Sequence, residues 1–288
     1  MRKLKKKRNY SLYIIIACVG IFSVMGVGYA YLQQSLDINL GLSKKSPDFA
    51  TDSWETIVAN VRRNPSVYPV GDEKEVTLTG AYAGTYTVRV ANNTTPAECS
   101  GTDFSQTACG FVVEFKDIIT REKMNSTLTS KNVWPGSELY QKLNPKNGDT
   151  TNSVIYNALP KDLKQVIVDT KVISSHGSKD STNFTSIDKL YLLATKEIWG
   201  KDGTSSIINY DTSDNQTRQL DYYKSIGITT NNYSGAIKQY QLSSQYWWTR
   251  SAKSSNSNGF YSVRSTGAWD GFSAATITYG VAPAFRIG

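Results

Sequence analysis

An α+β fold is what this 288-residue sequence predicts, on three observations. Short apolar runs with strand character gather at 74–80, 85–91 and 110–116, and again from 245 to the last residue. Stretches with helical spacing lie before and between them. No internal repeat, heptad or low-complexity tract divides residues 52–288, which therefore read as one domain.

The chain opens on Arg2, Lys3, Lys5, Lys6, Lys7 and Arg8, followed by the uncharged stretch YSLYIIIACVGIFSVMGVGYAYL at 10–32. About 20 apolar residues cross a bilayer, and basic residues in front of them hold that end in the cytoplasm. The expectation is an N-terminal apolar helix that anchors the chain in the membrane. A signal peptide cut after Ala30, behind Gly28-Tyr29-Ala30, is the alternative. Either reading exports the body, as the extracellular C-terminal domain of a cell-membrane protein or as a secreted one. The organisation expected is 1–32 basic cluster and anchor or signal peptide, 33–51 stalk, and 52–288 extracellular domain.

The net charge of +8 suggests a nucleic-acid partner until its distribution is considered. Removing the six basic residues of 2–8 from the total of 32 leaves 26 against 24 acidic residues, a net +2 for the body. A nearly neutral body predicts no basic face and no nucleic-acid binding. Cys18 falls inside the apolar stretch. Cys99 and Cys109 frame CSGTDFSQTAC, between the strand candidates TYTVRV and GFVVEF. In an oxidising compartment they are expected to form a disulfide, with free thiols as the alternative. The pair lacks the spacing of a zinc site.

Along the body, Trp54, Ile57, Val58 and Val61 fall at i, i+3, i+4 and i+7, predicting a helix that Asp52 and Glu55 would cap as a capping box. A short helix is expected at 135–143, opened by Pro135, and a second at 154–168 with Val154, Leu159, Leu163, Val166 and Ile167 inward. KLYLLATKEIWG at 189–200 reads as a buried strand turning into a helix. Residues 201–245 are polar and loop-rich, and YWWTRS, GFYSVRS and YGVAPAFRIG close the chain as strands. Adjacent strand residues face opposite ways, so Trp247 and Trp248 are both buried only if the sheet is covered on both sides. Arg250 is expected at the edge of the core, held by hydrogen bonds, because an unpaired buried guanidinium is costly. Phe285 and Ile287 should share a face with Val281, with Arg286 opposite.

YTVRVAN, IYNALPKDLKQVI, KLYLLATKEIWG, YWWTRSA and YGVAPAFRIG together resemble an uncharacterised domain family of exported bacterial proteins, over roughly 52–288. That family closes with WWLRS- and YGVRPAF-type strands; here Thr249 stands for the usual Leu and Ala282 for the usual Arg. The closing pattern is also similar to the formylglycine-generating-enzyme branch of the C-type-lectin-like fold. The resemblance implies a twisted mixed sheet with flanking helices and long loops. Its oxidase chemistry does not carry over, because no cysteine follows Cys109.

Reactive groups are few. His176, the only histidine, stands in SSHGSKDS with no nucleophile elbow elsewhere to use it. Asp211, Asp214 and Asn215 offer oxygen ligands of the kind Ca²⁺ takes, though an ordinary Asx-rich turn is the preferred reading. No cofactor is therefore expected, with Ca²⁺ as the alternative, and no metal ligands are assigned. The strongest functional signal is aromatic and polar clustering after 253. Tyr261, Arg264, Trp269, Asp270 and Phe272, set among Ser, Asn and Gly, are the expected ligand-binding residues. The expected function is a surface module that binds protein or glycan without a catalytic site. A structural, pilin-like envelope subunit and an exported enzyme of unknown reaction are the alternatives.

Overall fold

The computed structural model describes residues 46–130, 133–146, 148–178, 180–200, 216–253 and 255–288. The apolar stretch 10–32, Cys18 and the Asp211, Asp214 and Asn215 cluster lie outside the described residues, within which no helix is long and apolar enough to cross a membrane. The folded unit runs from Pro47 to Gly288, so it begins earlier than the expected 52. Phe49, assigned to the stalk, is buried against Trp54, Tyr68 and Phe111.

The fold is α+β. Helix α1 (Trp54–Arg63) buries Trp54, Ile57, Val58 and Val61 as its spacing predicts. Its cap differs from expectation: the Ser53 hydroxyl accepts the Thr56 amide, while Asp52 turns inward to accept the Tyr68 hydroxyl at 2.7 Å. Strands β1 (Glu73–Leu78), β2 (Gly84–Asn92) and β3 (Phe111–Phe115) follow in antiparallel order, then the short β4 (Thr120–Lys123). Helix α2 (Glu138–Leu143) starts at the Ser137 cap rather than at Pro135. The expected helix at 154–168 is two short ones, α3 (Val154–Ala158) and α4 (Lys161–Val166). Pro160 separates them, because the residue before a proline is driven to extended geometry.

Strands β5 (Thr170–Ser174) and β6 (Phe184–Asp188) form a two-stranded ribbon. Helices α5 (Thr195–Trp199) and α6 (Asp221–Ser225) precede the hairpin β7 (Lys238–Tyr240) and β8 (Ser243–Gln245). The remaining strands are β9 (Trp247–Ala252), β10 (Gly259–Val263), β11 (Trp269–Ala274), β12 (Thr278–Val281) and β13 (Ala284–Ile287).

The larger sheets have orders β1-β2-β3-β13 and β11-β10-β9-β12-β4. They share one long bent ribbon. Strand β13 pairs with β3 in the first sheet, and β12 pairs with β4 in the second. The bend falls at Ala282-Pro283, where the Phe115 amide reaches the Pro283 carbonyl and the Ile119 amide the Val281 carbonyl, both at 2.9 Å. YGVAPAFRIG is thus one segment serving two sheets, since proline cannot continue a ladder. Phe285 and Ile287 are buried, and Arg286, between them, reaches the Cys109 carbonyl at 2.9 Å.

Both tryptophans of β9 are buried, on different partners. Trp247 donates to the Ala236 carbonyl under the Lys238 ammonium, and Trp248 donates to the Glu122 carbonyl and packs on Tyr279. Arg250 lies deeper than the predicted core edge. It is fully buried and forked onto Glu197, with both N–O distances 2.6 Å.

Candidate functional site

Carboxylates and cations inside the body are consumed in scaffolding. Glu197 accepts Arg250, Thr217 and Thr107, the last from within the disulfide loop. Glu114 on β3 accepts Arg89 from β2, Tyr223 from α6 and Lys238 from β7. Burial opposes the charge on Glu114, and the facing Arg89 and Lys238 nevertheless hold its carboxyl below the usual range. Burial pulls the Lys238 ammonium down to about 8 against the attraction of Glu114. Buried ion networks of this kind tie elements together, here both α6 and the β7–β8 hairpin onto the first sheet.

The expected binding residues all fall on the β10–β11 hairpin. Tyr261, one of the expected ligand contacts, is fully buried in β10. The aromatic and polar stretch after 253 contains the hairpin β10–β11, and Phe272 is a strand residue within it. At its turn Arg264 faces Asp270 at 3.5 Å, with Arg264 exposed. Trp269 is half-buried against the core. The turn is fixed, since Gly267 has φ +86 and a Cβ there would lie 2.1 Å from the Tyr233 carbonyl oxygen. This hairpin presents an ion pair and one aromatic edge.

A concave site forms elsewhere, from residues that sequence reasoning passed over. A cavity of about 540 Å³ is lined by Asn144, Pro145, Thr150, Tyr156, Asp169, Ile187 and Lys189, together with Gly148. Its first wall is the turn after α2. There Lys146 and Asp149 exchange backbone hydrogen bonds around a tight reversal that places Gly148 at φ +82. Asp149 accepts both the amide and the hydroxyl of Thr151, which hold its carboxyl below the usual range. The second wall is Tyr156 on α3, whose hydroxyl is raised chiefly by burial, with the Lys189 charge lowering it and that of Asp169 raising it. The floor is the outer face of the β5–β6 ribbon, where Ile187 is 59% exposed and Lys189 pairs with Asp169 at 2.9 Å.

Two buried side chains join these walls. Asn144 accepts the amides of Lys189 and Leu190 at 2.7 and 3.1 Å and donates to the Leu190 carbonyl at 2.8 Å. Behind Ile187 and Lys189, Asp188 turns inward and accepts the Trp134 indole N–H at 2.8 Å. Burial pushes the Asp188 carboxyl up to about 6 against that donation. The sequence signal for this wall was present in NPKNGDTTN, an Asn-Gly reversal in a run of polar turn residues between two helices. What no local pattern revealed was its apposition to β6, some forty residues further on.

The Cys99–Cys109 disulfide is formed. Among the described residues no group of three or more His, Cys, Asp or Glu is placed to hold a metal ion. Fold and site thus define a disulfide-bearing α+β domain with a mixed polar and aromatic cleft beside a β-ribbon. The family model described as domain of unknown function DUF6273 matches residues 111–288, and the chain belongs to that family. The match starts at β3, so α1, β1, β2 and the disulfide loop precede it, although β1 and β2 complete the first sheet. No curated protein and no solved structure matches the chain.

Proposed function

We propose that this chain is an exported, membrane-anchored binding module that takes a protein or glycan ligand in the cleft between the 144–150 turn, Tyr156 and β6, without catalysing a reaction. The observation that carries this reading is the construction of the cleft. Side chains from four separate segments converge on one concavity, and Asn144 and Asp188 lock its walls to the scaffold. Preformed clefts with an aromatic face and a few placed polar groups are the usual form of a binding site. Export is supported by the basic cluster ahead of 10–32 and by the disulfide, which persists in oxidising compartments. A C-type-lectin-like arrangement of the closing strands belongs to the same proposal and rests on YWWTRSA and AFRIG. The hairpin carrying Arg264, Trp269 and Asp270 would then be a secondary contact surface.

The test applies the full-length chain in detergent to protein and glycan arrays, as wild type and as Tyr156→Ala. Tyr156 is only half-buried, so the variant keeps its fold. The expected outcome is a defined set of ligands whose binding falls at least tenfold in the variant. Silence on both arrays, or hits that Tyr156→Ala leaves unchanged, contradicts the reading.

A further inference from the structure

We propose that the ligand of this cleft is an extended polypeptide that adds as a strand to the free edge of β6. One apolar side chain enters the cavity, and a Lys or Arg two positions away meets Asp169. The proposal rests on the cleft being the binding site and names its partner class.

A strand edge presents unpaired amides and carbonyls in the spacing of another strand, and proteins guard such edges with charge or cover them. Strand β1 carries Glu73, Lys74 and Glu75 in succession, and β4 carries Arg121, Glu122 and Lys123. Strand β13 is covered, through the bridge from Ile287 to Ile167 and that from Ala284 to Tyr191. The outer edge of β5 is capped by the disulfide loop: Gln106 accepts the Lys171 amide and Ser105 the Ile173 amide.

Strand β6 differs. Among the described strands it pairs with β5 alone. Its exposed positions are Thr185 and Ile187, both uncharged and β-branched, and its only charge, Asp188, is buried inward. At its C-terminal end Asn144 takes the Lys189 and Leu190 amides and closes the edge. A strand laid along 184–187 would therefore run up to Asn144 and stop.

The cavity begins at that stop, on the face that Ile187 and Lys189 share. Addition of a strand supplies main-chain affinity, and a pocket for alternate side chains supplies selectivity. Charge sets the register. In the Lys189–Asp169 pair the lysine side chain is 29% exposed and the aspartate 67%, so the outward charge is negative. Lys171, opposite Ile187, is drawn away to the Gly101 and Thr102 carbonyls, which leaves Lys189 as the cation paired with Asp169.

The test pans a random octapeptide phage library and a glycan array with the full-length chain in detergent. The forms compared are the wild type, Thr185→Lys/Ile187→Lys, Asp169→Asn and Tyr156→Ala; residue-resolved amide exchange is measured on the free and the peptide-bound wild type. The expected result is enrichment of peptides with an apolar residue two positions from a Lys or Arg. Their affinity should fall at least tenfold in the double-lysine variant, and Asp169→Asn should abolish the preference for the basic residue. Exchange at the Thr185 and Ile187 amides, which the pairing with β5 leaves facing the open edge, should slow only when peptide is bound. Slow exchange across the whole of 184–187 in the free chain means that the edge is already occupied and overturns the proposal, as do enriched peptides that bind the double-lysine variant equally well. A glycan ligand lost in Tyr156→Ala, with no peptide enriched, overturns the peptide and leaves the cleft reading standing. Silence in both screens overturns both.

Discussion

Asp188 is where a single side chain matters most to the cleft. Its folded carboxyl titrates at about 6, against 3.8 when unperturbed. The folded chain therefore binds this proton more tightly than the unfolded one. Stability from this group is greatest below about pH 4, is lost as pH rises from about 4 to 6, and stays lost above that. A two-unit shift corresponds to about 3 kcal/mol. Asp188→Asn keeps an oxygen to accept Trp134 and removes the charge. Urea denaturation of the variant at pH 7.5 should show a gain of about 1–3 kcal/mol over the wild type, shrinking toward zero at pH 4. An equal effect at both pH values would contradict the burial argument. At this scale sequence reasoning was uneven. Arg250 was legible as a residue needing partners, because guanidinium burial has one solution. Its depth was not legible, because Glu197 and Thr107 reach it from distant segments. Tyr261 stands in GFYSVRS, read as a strand, and its Ser/Gly-rich context gave no sign that its side chain is buried.

Among the elements, the β7–β8 hairpin departs furthest from ordinary turn chemistry. Its two-residue turn, Gln241-Leu242, has φ +51 and +65, in the region that favours Asn-Gly. Leu242 is 93% exposed, so it gains little packing there. Leu242→Gly should stabilise the fold by about 1 kcal/mol, read as a raised thermal midpoint; a lowered midpoint would show that the leucine has a packing role. The disulfide loop is a second device. It delivers Ser105 and Gln106 to β5 and Thr107 to Glu197. Opening a loop of sequence separation 10 should cost about 3 kcal/mol, measured by urea denaturation with and without reductant. No change on reduction would mean that these side-chain bonds hold the loop unaided. Elements with strong periodicity, α1 and the closing strands, were readable in the sequence. Strands β4 to β6 and β11 were not, since each is short, polar on at least one face, and defined by pairing rather than by pattern.

For the whole molecule, α+β class and a single folded body were within reach of composition and element order, whereas the position of the cleft was not. Cavities arise where distant segments meet, and it is the Asn144 side chain that ties the 144–150 turn to Lys189 and Leu190 at the end of β6. The central claim is that ligand occupies this concavity rather than the β10–β11 hairpin. Amide hydrogen exchange on the full-length chain, with and without its strongest array ligand, tests this most directly. The account predicts slowing confined to 144–150, α3 and 184–190. Slowing at 264–270 with none in those segments would contradict it.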